Sequence, residues 1–196
     1  SEMCIRDRAG TTPTRIEIGN GTETLLTKTI VIPAGADIEL VDANTAAWSS
    51  ESKIIRDDGD FTGSLLKVEK GAKLTLSDGT GNGAGITIDS RAQYENVVKG
   101  SSFSPTILVE GELVMNAGTV TGARKMSNGG EGAVTVKGRD AKFTLNDGKI
   151  TDNQRKGGQF GAANVALTDG ATMVMNGGEI SEGQSDYSPY AYGEAG

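Results

Sequence analysis

The sequence predicts an all-β protein folded as a right-handed parallel β-helix (solenoid) of about five coils. Two observations carry this prediction. Apolar and polar residues alternate with a period of two along short segments, and one motif returns about every 30 residues. The motif is an alternating strand followed by an Asx-Gly-type turn, and its copies are Lys73–Gly79, Glu112–Gly118, Lys142–Gly148 and Thr172–Gly178, with a fainter copy at Asp37–Asp42.

Each copy of the motif is flanked by two further apolar segments. Upstream lie the partner strands Thr29–Ile32, Leu65–Val68, Thr106–Val109, Ala133–Val136 and Asn164–Leu167. Downstream, in most copies, lies a third short segment at Ile86 and Ile88, Val120, Ile150 or Ile180. Threonine and valine are common in these segments, which is typical of strands. One unit is therefore strand, turn, strand, Asx-Gly turn, short strand and loop.

A unit of this kind has one narrow apolar face that it cannot bury alone, and stacking successive units buries a continuous core. The coil is expected to be right-handed because parallel crossover connections overwhelmingly are. Neighbouring coils should then pair Leu76 with Met115, Met115 with Leu145 and Leu145 with Met175, all in parallel. An antiparallel sandwich or a propeller blade is the alternative, since turns of this type also suit hairpins.

Stacked coils place like residues in vertical columns about 4.8 Å apart. The predicted inward columns are Ile32, Val68, Val109, Val136 and Leu167; Ile38, Leu74, Leu113, Phe143 and Met173; and Leu40, Leu76, Met115, Leu145 and Met175. The third side of the core is closed by Val120, Ile150 and Ile180.

Asn116, Asn146 and Asn176 share one register, with Ser77 in the preceding copy. Their side chains are expected to form a column in a buried place, hydrogen-bonded to each other as a ladder or to the backbone of the adjacent turns. Asparagine without converging carboxylates is a poor metal site, so the ladder is interpreted as structural. Positive φ angles are expected at the glycines that follow, which are Gly79, Gly118, Gly148 and Gly178.

The two ends of the chain differ from the repeats. Residues 3–8, Met-Cys-Ile-Arg-Asp-Arg, match one translated frame of a transposon adapter used in sequencing libraries. Residues 1–8, which include the single cysteine, are therefore expected to be an artefact, and the chain a metagenomic fragment. Residues 9–27 are assigned to an irregular segment or first strand, 28–182 to the repeats and 183–196 to an irregular, truncated tail.

Composition excludes several classes of function. The chain has no histidine, which removes serine–histidine catalysis, cysteine–histidine catalysis and imidazole zinc sites. Its net charge of −7 disfavours nucleic acid as a partner, and it lacks a run of about 18 apolar residues that would span a membrane. The acidic run 56–60 lacks the spacing of a calcium loop and is expected to be solvated. No catalytic residue, cofactor or metal site is assigned.

Units of the form G-x-x-[LF]-T-[LM]-N-G-G-x-I-[ST], followed by a glycine-rich stretch and V-x-V, resemble the right-handed β-helix repeats of large bacterial surface proteins. The resemblance covers about residues 28–182, and the pectate-lyase-like superfamily shares the fold. It implies an extracellular or cell-surface location in a bacterium. Because a β-helix hosts adhesins, lyases and passive stalks alike, the resemblance specifies the fold more closely than the function.

The loops after the third strand carry the candidate contact surface. They span 123–132, 153–161 and 182–196, and the first two hold the cations Arg124, Lys125, Arg155 and Lys156 at nearly the same offset. Stacking aligns these cations on one edge, where a polyanion such as an acidic glycan would relieve their repulsion. Solubilising charge on a loop tip is the alternative.

The expected function is that of a structural or adhesive scaffold in an extracellular bacterial surface protein, with carbohydrate or another cell-surface polymer as its partner. The alternative is a polysaccharide lyase or glycoside hydrolase of β-helix fold. Such an enzyme needs a compact cluster of acids, either two opposed carboxyls or aspartates beside an arginine or lysine base. No motif of this kind stands out in the sequence.

Overall fold

The computed structural model describes residues 12–19, 21–42, 51–57, 61–79, 85–91, 104–124, 131–156 and 162–186, without the side chains of 156, 185 and 186. Within these residues every regular element is a β-strand. In chain order the strands are β1 Thr14–Ile18, β2 Glu23–Leu26, β3 Ile30–Ile32, β4 Asp37–Asp42, β5 Lys53–Arg56, β6 Leu66–Val68, β7 Lys73–Asp78, β8 Thr87–Asp89, β9 Ile107–Val109, β10 Glu112–Met115, β11 Thr119–Thr121, β12 Val134–Lys137, β13 Lys142–Leu145, β14 Lys149–Ile150, β15 Gln154–Lys156, β16 Val165–Thr168, β17 Thr172–Met175, β18 Glu179–Ile180 and β19 Gln184–Asp186.

The strands stack into three main sheets. Within the described residues, sheet A has the order β1-β4-β7-β10-β13-β17, sheet B the order β2-β5-β8-β11-β14-β18 and sheet C the order β3-β6-β9-β12-β16. Neighbouring strands are parallel, as in the pairs β7 with β10, β8 with β11 and β6 with β9. The chain visits sheets C, A and B in turn, so each round of three strands is one coil. The described residues thus form the predicted parallel β-helix, with five complete coils that follow the initial pair β1 and β2. The right-handed sense stays a prediction.

The predicted register of sheet A is confirmed. Leu76 is the direct partner of Met115, Met115 of Leu145, and Leu145 of Met175. Because side chains alternate across a strand, this register turns one apolar column inward along the whole sheet. Sheet B closes the core from its own side, where Val120 pairs with Ile150 and both are fully buried.

The last described coil leaves its inward side chains exposed. Met175 is 51% exposed and Ile180 is 37% exposed, whereas their partners one coil below, Leu145 and Ile150, are 0% exposed. Leu167 in sheet C is likewise 46% exposed. These side chains share their columns with buried ones, so the difference arises because no further coil covers them among the described residues.

Stacking begins earlier in the chain than the repeats that the sequence analysis recognised. β1 pairs with β4 and β2 pairs with β5, so the segment 14–26 already extends sheets A and B before the expected repeat boundary at residue 28. The alternation Thr14–Ile18 carries this information. The pair Asn20-Gly21 follows it, but the sequence analysis did not recognise this segment as a copy of the motif.

The glycines of the repeated turn do not all adopt the same conformation. Gly118, Gly148 and Gly178 have φ angles of +96°, +99° and +77°. The prediction was wrong for Gly79, whose φ lies outside the left-handed region. Glycine is required there by close approach instead, because a Cβ atom would lie 2.7 Å from the carbonyl oxygen of Asp42.

Candidate functional site

The loop edge predicted from Arg124, Lys125, Arg155 and Lys156 lies at the corner that follows sheet B. Arg124 lies three residues after the end of β11. Its side chain turns toward the next coil and is only 16% exposed. Its Nη2 lies 2.7 Å from Asp152 Oδ1, and its Nη1 donates to the carbonyl oxygens of Ala123 and Asp152. The positive charge of Arg124 is therefore relieved by an aspartate of the protein, and the pair ties two coils together.

The other three cations of the loop edge differ in what the structure describes. Arg155 lies in β15, beside Ser185 of β19, and is 3% exposed. Lys125 lies outside the described residues, and only the backbone of Lys156 is described. Arg124 and Arg155 therefore face inward rather than into solvent, and anion binding at the loop edge stays a prediction.

A buried asparagine organises the same corner, and the sequence analysis missed it. Asn153 is fully buried; its Oδ1 accepts from the backbone nitrogen of Ala123 at 3.1 Å. Its Nδ2 donates to the carbonyl oxygen of Val120 at 3.2 Å and to Asn164 Oδ1 at 3.0 Å. These bonds satisfy backbone groups where the chain leaves sheet B. In the sequence, Asn153 is a polar residue three positions after a short strand, and most loops contain such a residue, so nothing distinguished it.

Arg56 is a second buried anchor between coils. The sequence analysis placed it at the start of a solvated acidic loop, but it is the last residue of β5 and is 0% exposed. Its guanidinium donates to the carbonyl oxygens of Phe61, Gly63 and Ser90 at 2.8, 2.6 and 3.0 Å, and it lies 4.9 Å from the centre of the Phe61 ring. Burial lowers the pKa of Arg56 to about 10, so it remains cationic at neutral pH.

The asparagine ladder lies at the turn between sheets A and B. Asn146 Nδ2 donates to Asn116 Oδ1 at 2.8 Å, and Asn176 Nδ2 donates to Asn146 Oδ1 at 2.7 Å. Below them, Asn116 Nδ2 reaches Ser77 Oγ at 3.5 Å. The three asparagines are exposed, so the expectation of a buried column was wrong. Each asparagine directly follows an inward residue such as Leu145, so strand alternation turns it outward.

We expect Asn146→Leu to lower the free energy of unfolding by about 1 kcal/mol, because exposed amides that lose their partners are solvated by water. Urea denaturation measures the change. Asn146→Ala is the matched control, since it removes the same two hydrogen bonds without adding a large exposed apolar side chain; it should lose a similar amount. A loss above about 3 kcal/mol for the leucine variant would indicate a buried ladder instead.

A polar notch lies at the corner between sheets C and A, away from the loop edge. It arises from unequal turns. Between the column of Val109 and the column of Glu112 the chain has two residues, Glu110 and Gly111, whereas the equivalent turn has four residues at 69–72 and five at 137–141. The short turn leaves a groove of about 380 Å³ between its longer neighbours. We call this groove the turn notch.

Gly111 permits the short turn. A Cβ atom at this position would lie 2.3 Å from the carbonyl oxygen of Ala72 and 2.4 Å from that of Glu69, both in the coil below. Hydrogen bonds from the backbone nitrogens of Glu110 and Gly111 to the carbonyl oxygen of Val68 hold the turn against that coil. Backbone contacts therefore hold the short turn against the coil below.

An ion pair spans the turn notch. Lys70 Nζ lies 2.9 Å from Asp140 Oδ2, which joins the two long turns across the short one. The hydrogen bond and the positive charge of Lys70 hold the pKa of Asp140 below its usual range, and Arg139 has a smaller effect in the same direction. Asp140 in turn raises the pKa of Lys70. Both side chains are largely exposed, so the pair adds little to stability and matters for the shape of the groove.

Among the described residues, no group of three or more histidine, cysteine, aspartate or glutamate side chains is placed to hold a metal ion. In the same parts of the chain, no helix is long and apolar enough to cross a membrane.

No protein-family model matches the chain, and neither does any curated protein or solved structure. The parallel pairing of the strands defines the fold.

Proposed function

We propose that the chain is a structural and adhesive scaffold, a β-helix segment of an extracellular bacterial surface protein that contacts glycans without cleaving them. The observation that supports this proposal is that buried and partly buried polar side chains link successive coils. Arg124 bonds to Asp152 of the next coil, and Asn153 bonds to Asn164 of the coil that follows it. Arg56 reaches the carbonyl oxygen of Ser90, one coil on.

These links hold neighbouring coils together, as an elongated scaffold requires. In a solenoid each coil contacts only its neighbours, so stability depends on the interfaces between adjacent coils. Apolar columns supply most of each interface, and a hydrogen bond to a charged group adds roughly 1.5–3 kcal/mol where it is well formed. The bonds that Arg56 and Arg124 form between coils resist separation of those coils, which is the property that a scaffold requires.

The test presents the purified chain to immobilised acidic and neutral polysaccharides and follows both the retained protein and the length of the polymer. We expect retention on at least one polymer with its length unchanged. Release of shorter oligosaccharides would overturn the proposal in favour of a lyase or hydrolase. Failure to be retained on any polymer would overturn the glycan contact. Heat-unfolded chain is the control for non-specific adsorption.

A further inference from the structure

The turn notch has the size of a small-ligand binding site. Its volume of about 380 Å³ falls within the range of small-ligand sites. It is lined by Glu110 of the short turn and by residues of the longer turns on the neighbouring coils. These turns are anchored at both ends by strands of sheets C and A, so their backbone is held in place before a ligand arrives, which reduces the entropy lost on binding.

The charges around the turn notch are unevenly paired. The carboxylate of Glu110 lies 3.1 Å from Lys67, and that of Asp140 lies 2.9 Å from Lys70. Lys137 and Arg139 also line the groove and are exposed, and neither forms an ion pair within the described residues. Apart from the weak effect of Arg139 on Asp140, these two cations of one wall are not engaged in an ion pair among the described residues, although the chain as a whole carries a net charge of −7.

The groove also contains a carboxylate, that of Asp169, which forms no ion pair among the described residues. A guanidinium and an ammonium donate to an anion, and the guanidinium suits a sulfate or carboxylate through two parallel hydrogen bonds. A carboxylate accepts hydrogen bonds from hydroxyl groups. The groove therefore offers donors for an anion next to an acceptor for hydroxyls.

We infer that the turn notch binds an anionic saccharide, with Lys137 and Arg139 on its acidic group and Asp169 on its hydroxyl groups. A sugar ring that carries a sulfate or carboxylate presents both kinds of partner at once. A neutral saccharide lacks the anion, and polyphosphate lacks the hydroxyls. The inference rests on the proposed glycan contact and moves it from the loop edge to the corner between sheets C and A.

The binding experiment uses the full chain with dextran sulfate and dextran, which share one backbone and differ in the anion. Binding to dextran sulfate that weakens at high salt, with no measurable binding to dextran, is expected. A polyuronate arm shows whether carboxylate serves as well as sulfate, and either result supports the site. Equal affinity for dextran, or for polyphosphate of matched charge, would overturn it.

Two double variants test the residues. We expect Lys137→Ser with Arg139→Ser to weaken binding to dextran sulfate about tenfold or more, which corresponds to about 1.4 kcal/mol. The matched control, Lys28→Ser with Lys53→Ser, removes the same charge from positions outside the groove and should change the affinity by less than about twofold. Equal losses in the two double variants would reduce the effect to net charge and overturn the site.

A third variant tests the shape. It replaces the short turn Glu110–Gly111 with the four-residue sequence Glu-Lys-Gly-Ala of the turn at 69–72, which fills the groove and adds a positive charge. The turn notch predicts weaker binding, whereas attraction by net charge alone predicts stronger binding. Circular dichroism and thermal unfolding confirm that each variant is folded.

The result also separates this inference from the proposed function. A chain that is retained on glycans as strongly with the filled groove as without it would keep its scaffold function and lose the turn notch as the contact. A chain that binds no glycan in either form would overturn both.

Discussion

Phe143→Ala is expected to lower the free energy of unfolding by about 3–5 kcal/mol, the range for a large buried aromatic side chain in a core. Phe143 is 0% exposed and lies in β13 between Leu113 of the coil below and Met173 of the coil above. Because parallel strands on both sides hold the backbone at a fixed spacing, the cavity cannot collapse. Urea denaturation followed by circular dichroism measures the loss.

The matched control is Val174→Ala in the neighbouring strand β17, where the side chain is 43% exposed. It should change stability by less than about 0.5 kcal/mol, as is usual for surface substitutions. Similar losses at Phe143 and Val174 would mean that the inward column of sheet A does not form the core in solution.

Gly148→Ala is expected to lower the free energy of unfolding by at least about 3 kcal/mol, through two separate effects. The φ angle of +99° is unfavourable for any residue with a Cβ atom. The Cβ atom would also lie 2.6 Å from the carbonyl oxygen of Gly118, in the coil below, so the two coils would have to separate. Thermal and urea unfolding both report the change.

Gly35→Ala isolates the first of these effects. Gly35 has a φ angle of +83°, but among the described residues no atom beyond its two chain neighbours lies within 4 Å of the position that its Cβ would take. This control should lose only the conformational term, about 1–2 kcal/mol. If the two alanine variants lost the same amount, the close contact between the turns of Gly118 and Gly148 would contribute nothing to the interface between coils.

The amino-acid sequence by itself determined the repeated strands from residue 28 onward, apart from β5, β15 and β19, together with their inward columns and the register of sheet A. A period of two decides which side chains share a face, and a motif that returns after about 30 residues decides which strands become neighbours. Leu76, Met115, Leu145 and Met175 could be aligned on this basis because the information is local and repeated. The ladder of Asn116, Asn146 and Asn176 followed from the same alignment.

Only the tertiary structure decided which polar side chains are buried and where a groove opens. Arg56 and Arg124 resemble surface charges in the sequence, but the carbonyl oxygens and the aspartate that bind them come from distant segments or the next coil. The turn notch depends on a difference in length between turns that are far apart in the chain and adjacent in space, with Lys70 meeting Asp140 across it. Strand periodicity specifies the column in which a side chain stands, whereas its burial and partners depend on the loops of the coils above and below.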